Sequence, residues 1–75
     1  MTNKYTDAYF ENLFTYHSPT PEQIVRYQSI REAARVFAKT VYDNTPQSAD
    51  QSAALRKIRE AVMTANASIA LNGIV

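Results

Sequence analysis

Seventy-five residues allow one small domain and exclude a two-domain enzyme. Apolar residues make up 45% and charged residues 20%, the balance of a folded chain, and eight Lys/Arg against seven Asp/Glu leave a formal charge of +1, too little for the basic field that grips a nucleic acid polymer. With no cysteine, one histidine, no apolar run long enough to span a bilayer and no signal-peptide core after Met1-Thr2-Asn3-Lys4, a cytoplasmic chain without disulfides, membrane segment, metal or cofactor is expected.

The first element is aromatic. Tyr9, Phe10, Leu13, Phe14 and Tyr16 crowd five large groups into eight positions, and a short helix is predicted from about Thr6 to Leu13, capped by Thr6 or Asp7. Eight residues are marginal as an isolated helix, so it needs a surface to lie on. Asp7 and Glu11 at i, i+4 could face each other, but acids at a helix start are explained by its macrodipole, and nothing else completes a metal or glycosidase-like site. His17, before Ser18-Pro19, falls on a turn. It could act as a base, a metal ligand or the wall of a pocket, yet no acid adjoins it and a turn or capping hydrogen bond asks for less.

Thr20-Pro21-Glu22-Gln23 then supplies a cap hydroxyl, a proline at N1 and the glutamine of a capping box. A helix follows over about 21–43, with Tyr27, Ile30, Ala34, Phe37 and Val41 drawing one core stripe, and it ends before Pro46. A second capping box, Ser48-Ala49-Asp50-Gln51, opens a helix over about 48–71 whose stripe is Leu55, Ile58, Val62, Ala65 and Ile69, closed by Asn72-Gly73. The short connection between the two forces them antiparallel. The fold class is therefore all-α: one domain over 1–75, a helical hairpin with a short N-terminal helix. Two apolar stripes and an aromatic arm exceed what one hairpin can bury, so a helical homo-oligomer is expected.

No glycine-rich loop exists to cradle a triphosphate. The informative constellation is basic and aromatic: Arg31, Arg35 and Lys39 recur at i, i+4, i+8, with Tyr16 just before that helix. Guanidinium forks suit phosphates and tyrosine faces suit nucleobases, so this set could hold a small nucleotide. A row of cations on a polar helix face, partly paired with Glu32, is equally the mark of a solvated surface, and spacing alone favours that second reading. Arg56, Lys57 and Arg59, next to Glu60, call for the same restraint.

The run Phe14-Thr15-Tyr16-His17-Ser18-Pro19-Thr20-Pro21-Glu22-Gln23, followed by Tyr27 and Ile30-Arg31, and the later Ala61-Val62-Met63-Thr64-Ala65-Asn66-Ala67-Ser68-Ile69-Ala70, resemble the phage-encoded anti-CBASS cyclic-oligonucleotide sponges that share the small Acb/Tad helical hairpin domain. The resemblance covers about Phe14 to Asn72. It implies a homohexamer that sequesters, without cleaving, the cyclic nucleotides of a bacterial antiviral signalling system in the host cytoplasm: cyclic dinucleotides such as cyclic GMP-AMP, and in some relatives cyclic trinucleotides. By the same resemblance the base-stacking tyrosine falls on Tyr16, the phosphate-binding cation on Arg31 and the polar residue after the tyrosine on His17. A hydroxyl two positions after the cation in some relatives is Ala33 here, and Arg35 extends the basic row.

Several relatives carry an arginine after the Asn-Ala-x-Ile-Ala motif that helps form a second pocket, for cyclic trinucleotides, among three chains. Here that position is Leu71, with Asn72 and Arg59 as the nearest substitutes. The competing expectations are a helical protein-interaction module without a nucleotide ligand, a helical binder of nucleic acid polymers, and an enzyme that degrades the signal, which lacks a base and metal constellation in this chain.

Overall fold

The computed structural model describes residues 4–73; Met1 to Asn3, where a leader would begin, and the last two positions of the single domain expected over 1–75 lie outside them. The described residues form three helices and no strand: α1 (Asp7–Phe14), α2 (Pro21–Asn44) and α3 (Ala49–Ala70).

Each helix starts on a hydroxyl. Thr6 accepts from the Tyr9 amide at 3.2 Å, and Asp7 sits favourably in the first turn of α1. At α2 the capping box is complete: Thr20 Oγ1 accepts from the Gln23 amide at 3.1 Å, and Gln23 Oε1 accepts from the Thr20 amide at 3.0 Å. The other end of the Gln23 amide donates to the Ile69 carbonyl at 3.2 Å, so this cap also ties the start of α2 to the end of α3.

The second capping box forms only by half. Ser48 Oγ accepts from the Gln51 amide at 3.1 Å, but the Gln51 side chain turns away from its own cap and donates to the Tyr42 carbonyl at 3.3 Å and to the Thr45 carbonyl and hydroxyl at 3.1 and 3.0 Å. Pro46 forces Thr45 into extended backbone (ψ 148°), and this leaves carbonyls at the end of α2 without helical partners. Gln51, 7% exposed, satisfies them and closes the hairpin turn. At the far end Asn72 (φ 53°) and Gly73 (φ 77°) turn left-handed, and their amides donate to the Ile69 and Ser68 carbonyls at 3.1 and 2.9 Å, a Schellman closure with asparagine at the strained position.

The core is the seam between α2 and α3. Tyr27, Ile30, Ala34, Ala38 and Val41 are half-buried on one helix, and Leu55, Ile58, Val62, Ala65 and Ile69 on the other. Phe37, read from spacing as core, is instead 58% exposed. At about 100° per residue, positions 37 and 38 lie at nearly equal angles to either side of the stripe. The small Ala38 fits between the helices, whereas Phe37 stands at the rim of an apolar groove of about 390 Å³ that it lines with Ile30, Ala33, Ile58 and Val62.

The backbone of α1 comes no closer than 8 Å, Cα to Cα, to either hairpin helix. Its aromatic residues and Tyr5 just before it pack on one another: the Tyr5 and Tyr9 rings meet edge to face at 5.3 Å, and Tyr9 meets Phe10 likewise at 5.5 Å. The radius of gyration is 16.1 Å, against about 11 Å for a compact chain of this length. Leu71 is the one buried apolar side chain among the described residues.

Candidate functional site

The linker from Thr15 to Thr20 carries the candidate aromatic residue, and its geometry follows from how α1 ends. The last carbonyls of a helix have no partner within it. Thr15 Oγ1 donates to the Glu11 carbonyl, and His17 Nε2 lies 2.8 Å from the Asn12 carbonyl. A carbonyl oxygen can only accept, so Nε2 carries the hydrogen in that bond. His17 is thereby half-buried, while Tyr16 between the two anchored residues projects outward with 83% of its surface exposed. Beyond it Pro19 and Pro21 restrict the path into α2.

Arg31 lies eleven residues past the cap Thr20, about 16 Å along the axis of α2. Among the described residues every other cation of α2 is ion-paired: Arg26 with Glu22 at 2.7 Å, Arg35 with Glu32 at 2.6 Å and Lys39 with Asp43 at 2.6 Å. Arg35 holds Glu32 through both carboxylate oxygens. Those hydrogen bonds, with the opposite charge of each partner, set the Glu32 pKa below and the Arg35 pKa above their ordinary values. Glu32, the acid nearest to Arg31 in sequence, is thus engaged elsewhere, and Arg31 is exposed with no ion pair among the described residues.

The structure separates the three cations that spacing placed in one row. Among the described residues Arg31 has no ion pair, whereas Arg35 and Lys39 are paired within their own helix. Ala33 is exposed and lines the apolar grooves beside Phe37. Leu71 is 6% exposed and packs within the chain, Asn72 serves the left-handed closure, and Arg59 is exposed on α3 without an ion pair among the described residues. The role of Thr15 was not readable, since a hydroxyl bonding back four residues is common at helix ends. Asn66, in the second motif, has its Oδ1 buried without a donor.

Among the described residues no three His, Cys, Asp or Glu side chains come together as a metal cluster, and no helix is long and apolar enough to cross a membrane. The arrangement offers an exposed π-face and an unpaired guanidinium, which suit a base and a phosphate. A family model for the hairpin domain of Acb2/Tad1 matches residues 6–70, a span that takes in all three helices. No curated protein and no solved structure matches the chain.

Proposed function

Because the chain belongs to the Acb2/Tad1 hairpin-domain family, the phage anti-CBASS cyclic-nucleotide sponges, we propose that it is a counter-defence protein that captures cyclic dinucleotides such as cyclic GMP-AMP in the host cytoplasm and holds them uncleaved. The observations that support this reading are the exposure of Tyr16 and the state of Arg31, the cation of α2 that no acid among the described residues neutralises. One chain presents one such ring and one such fork, and a cyclic dinucleotide has two bases and two phosphates about an approximate two-fold axis. Two copies around that axis offer each half the same Tyr16 and Arg31. The neighbouring Ala33 supplies no hydrogen bond of its own, and Arg35 reaches a phosphate only by leaving Glu32.

The proposed assembly is a homohexamer. Its support is the extended chain, the detached aromatic arm and the open groove at Phe37, surfaces that a second copy would cover. The same exposure favours a second reading, a protein-interaction module without a nucleotide. Calorimetric titration against a panel of cyclic di- and trinucleotides separates the two, since the module binds none of them.

Sequestration returns its ligand unchanged. Heat-denaturing the complex after long incubation is expected to release intact cyclic dinucleotide by chromatography, with or without a chelator, and linear product accumulating with time would identify a phosphodiesterase instead.

The second pocket is expected to be weak. A site on a three-fold axis that lacks an arginine from each chain loses three charge-assisted contacts of about 1.5–3 kcal/mol each. With Leu71 buried, nothing charged replaces them at that position. A cyclic trinucleotide titrated into the wild type should bind far more weakly than a cyclic dinucleotide. Tight binding would assign the role to Arg59 or Asn72, and alanine substitution of each would tell which.

A further inference from the structure

Tyr16 is the most exposed aromatic residue described, yet both of its neighbours in sequence are fastened to α1. We propose that Thr15 and His17 form a two-point clamp on the unpartnered carbonyls of Glu11 and Asn12, which presents the Tyr16 ring to a base before any ligand arrives. His17 is then a positioning residue, and its Nε2 hydrogen is spent inside the chain. This inference rests on the assignment of Tyr16 as the base-stacking residue.

The physical argument concerns ordering. A tyrosine on a free linker would sample many backbone conformations, and fixing it on binding would consume part of the stacking energy. The clamp fixes it earlier. Thr15 is extended (φ −86°, ψ 141°), so the chain leaves α1 without continuing the helix, and the hydroxyl and the imidazole cap carbonyls that would otherwise need water. Pro19 limits the backbone of Ser18, and Thr20 is locked in its capping box with Gln23. The residues on either side of the ring are thus held, while the ring itself touches solvent. Because the backbone of α1 stays more than 8 Å, Cα to Cα, from the hairpin helices, the clamp also couples the attitude of α1 to that of Tyr16.

The test is calorimetry with cyclic GMP-AMP on the full chain, comparing wild type with Tyr16→Ala, Thr15→Val, His17→Leu and His17→Gln. Tyr16→Ala should abolish binding. Thr15→Val and His17→Leu should each weaken it roughly fivefold to a hundredfold, the scale of ordering one side chain in each of two copies, and His17→Gln, which keeps a donor, should recover most of the loss. With 3-fluorotyrosine incorporated, the resonance identified as Tyr16 by its disappearance in Tyr16→Phe should narrow in ligand-free Thr15→Val and His17→Leu and stay broad in His17→Gln. Full affinity in Thr15→Val and His17→Leu, with Tyr16→Ala inactive, would overturn the clamp and leave the binding site standing. His17→Gln as weak as His17→Leu would overturn the positioning role in favour of direct ligand contact by the imidazole. Undiminished binding by Tyr16→Ala would overturn the site assignment itself and the clamp with it.

Discussion

Replacing Tyr16 with alanine, or Arg31 with glutamate, is expected to abolish capture of cyclic GMP-AMP and leave the melting temperature within a few degrees of the wild type. Base stacking contributes about 1–3 kcal/mol per base, and a two-fold site loses it twice, so Tyr16→Ala should weaken binding by a factor between about 30 and 10⁴. Arg31→Glu removes two charge-assisted contacts of about 1.5–3 kcal/mol each and sets carboxylates against phosphates, a larger loss still. Neither residue is part of the core: both are exposed, and Arg31 has no ion pair to lose among the described residues. Exposed substitutions of this kind cost about 0.5 kcal/mol or less. Calorimetry for affinity and a thermal melt for stability check both halves together. Loss of folding in either variant would make the residue structural, and unchanged affinity in both would dismiss the site.

Charging the groove should do the opposite. Phe37 is more than half exposed in one chain and stands at the rim of an apolar seam, so Phe37→Asp adds little strain to an isolated hairpin. In the proposed hexamer each copy would bury an unpaired carboxylate where a ring had packed. Truncating a buried aromatic residue alone costs about 3–5 kcal/mol, and for a chain this short that corresponds to a fall in melting temperature of roughly 12 °C or more. Native mass spectrometry should find the wild type at six times the 8.5 kDa chain and Phe37→Asp as smaller species with reduced helicity. A variant that keeps both its mass and its melt would remove Phe37 from any interface. A wild type that is monomeric and folded at micromolar concentration would dismiss the assembly.

The contrast between two glutamines explains what could be read from the chain alone. Gln23 bonds Thr20, three residues away, so its capping box is a local pattern visible in four letters. Gln51 stands in the same pattern but is drawn to Tyr42 and Thr45, on the other side of a turn whose unpaired carbonyls exist only because Pro46 ends α2. Phe37 and Ala38 failed for an angular reason: the helical period leaves them nearly tied, and side-chain size breaks the tie. The three-helix, all-α outline followed from periodicity and caps. The stance of α1 did not, because among the described residues its backbone does not approach the hairpin helices closely enough to be fixed by them.

At the site, the row of cations was visible in the spacing, but which of them is free was not. That depends on Glu32 taking Arg35, three residues on, by a bidentate grip. The outward stance of Tyr16 likewise depends on hydrogen bonds made by its neighbours and not on any property of tyrosine.

The caps that begin the helices and close the turn are all neutral. Thr6, Thr20, Gln23, Ser48 and Gln51 hold the backbone through hydroxyls and amides, and the three ion pairs of α2 are exposed and weak. The molecule therefore keeps its architecture and its charge-dependent chemistry on separate controls. In the proposed site, ionic strength would act on the contact between Arg31 and a phosphate while finding little in the scaffold to disturb, so a host cell's changing ion content would tune the hold on a messenger and leave the holder intact.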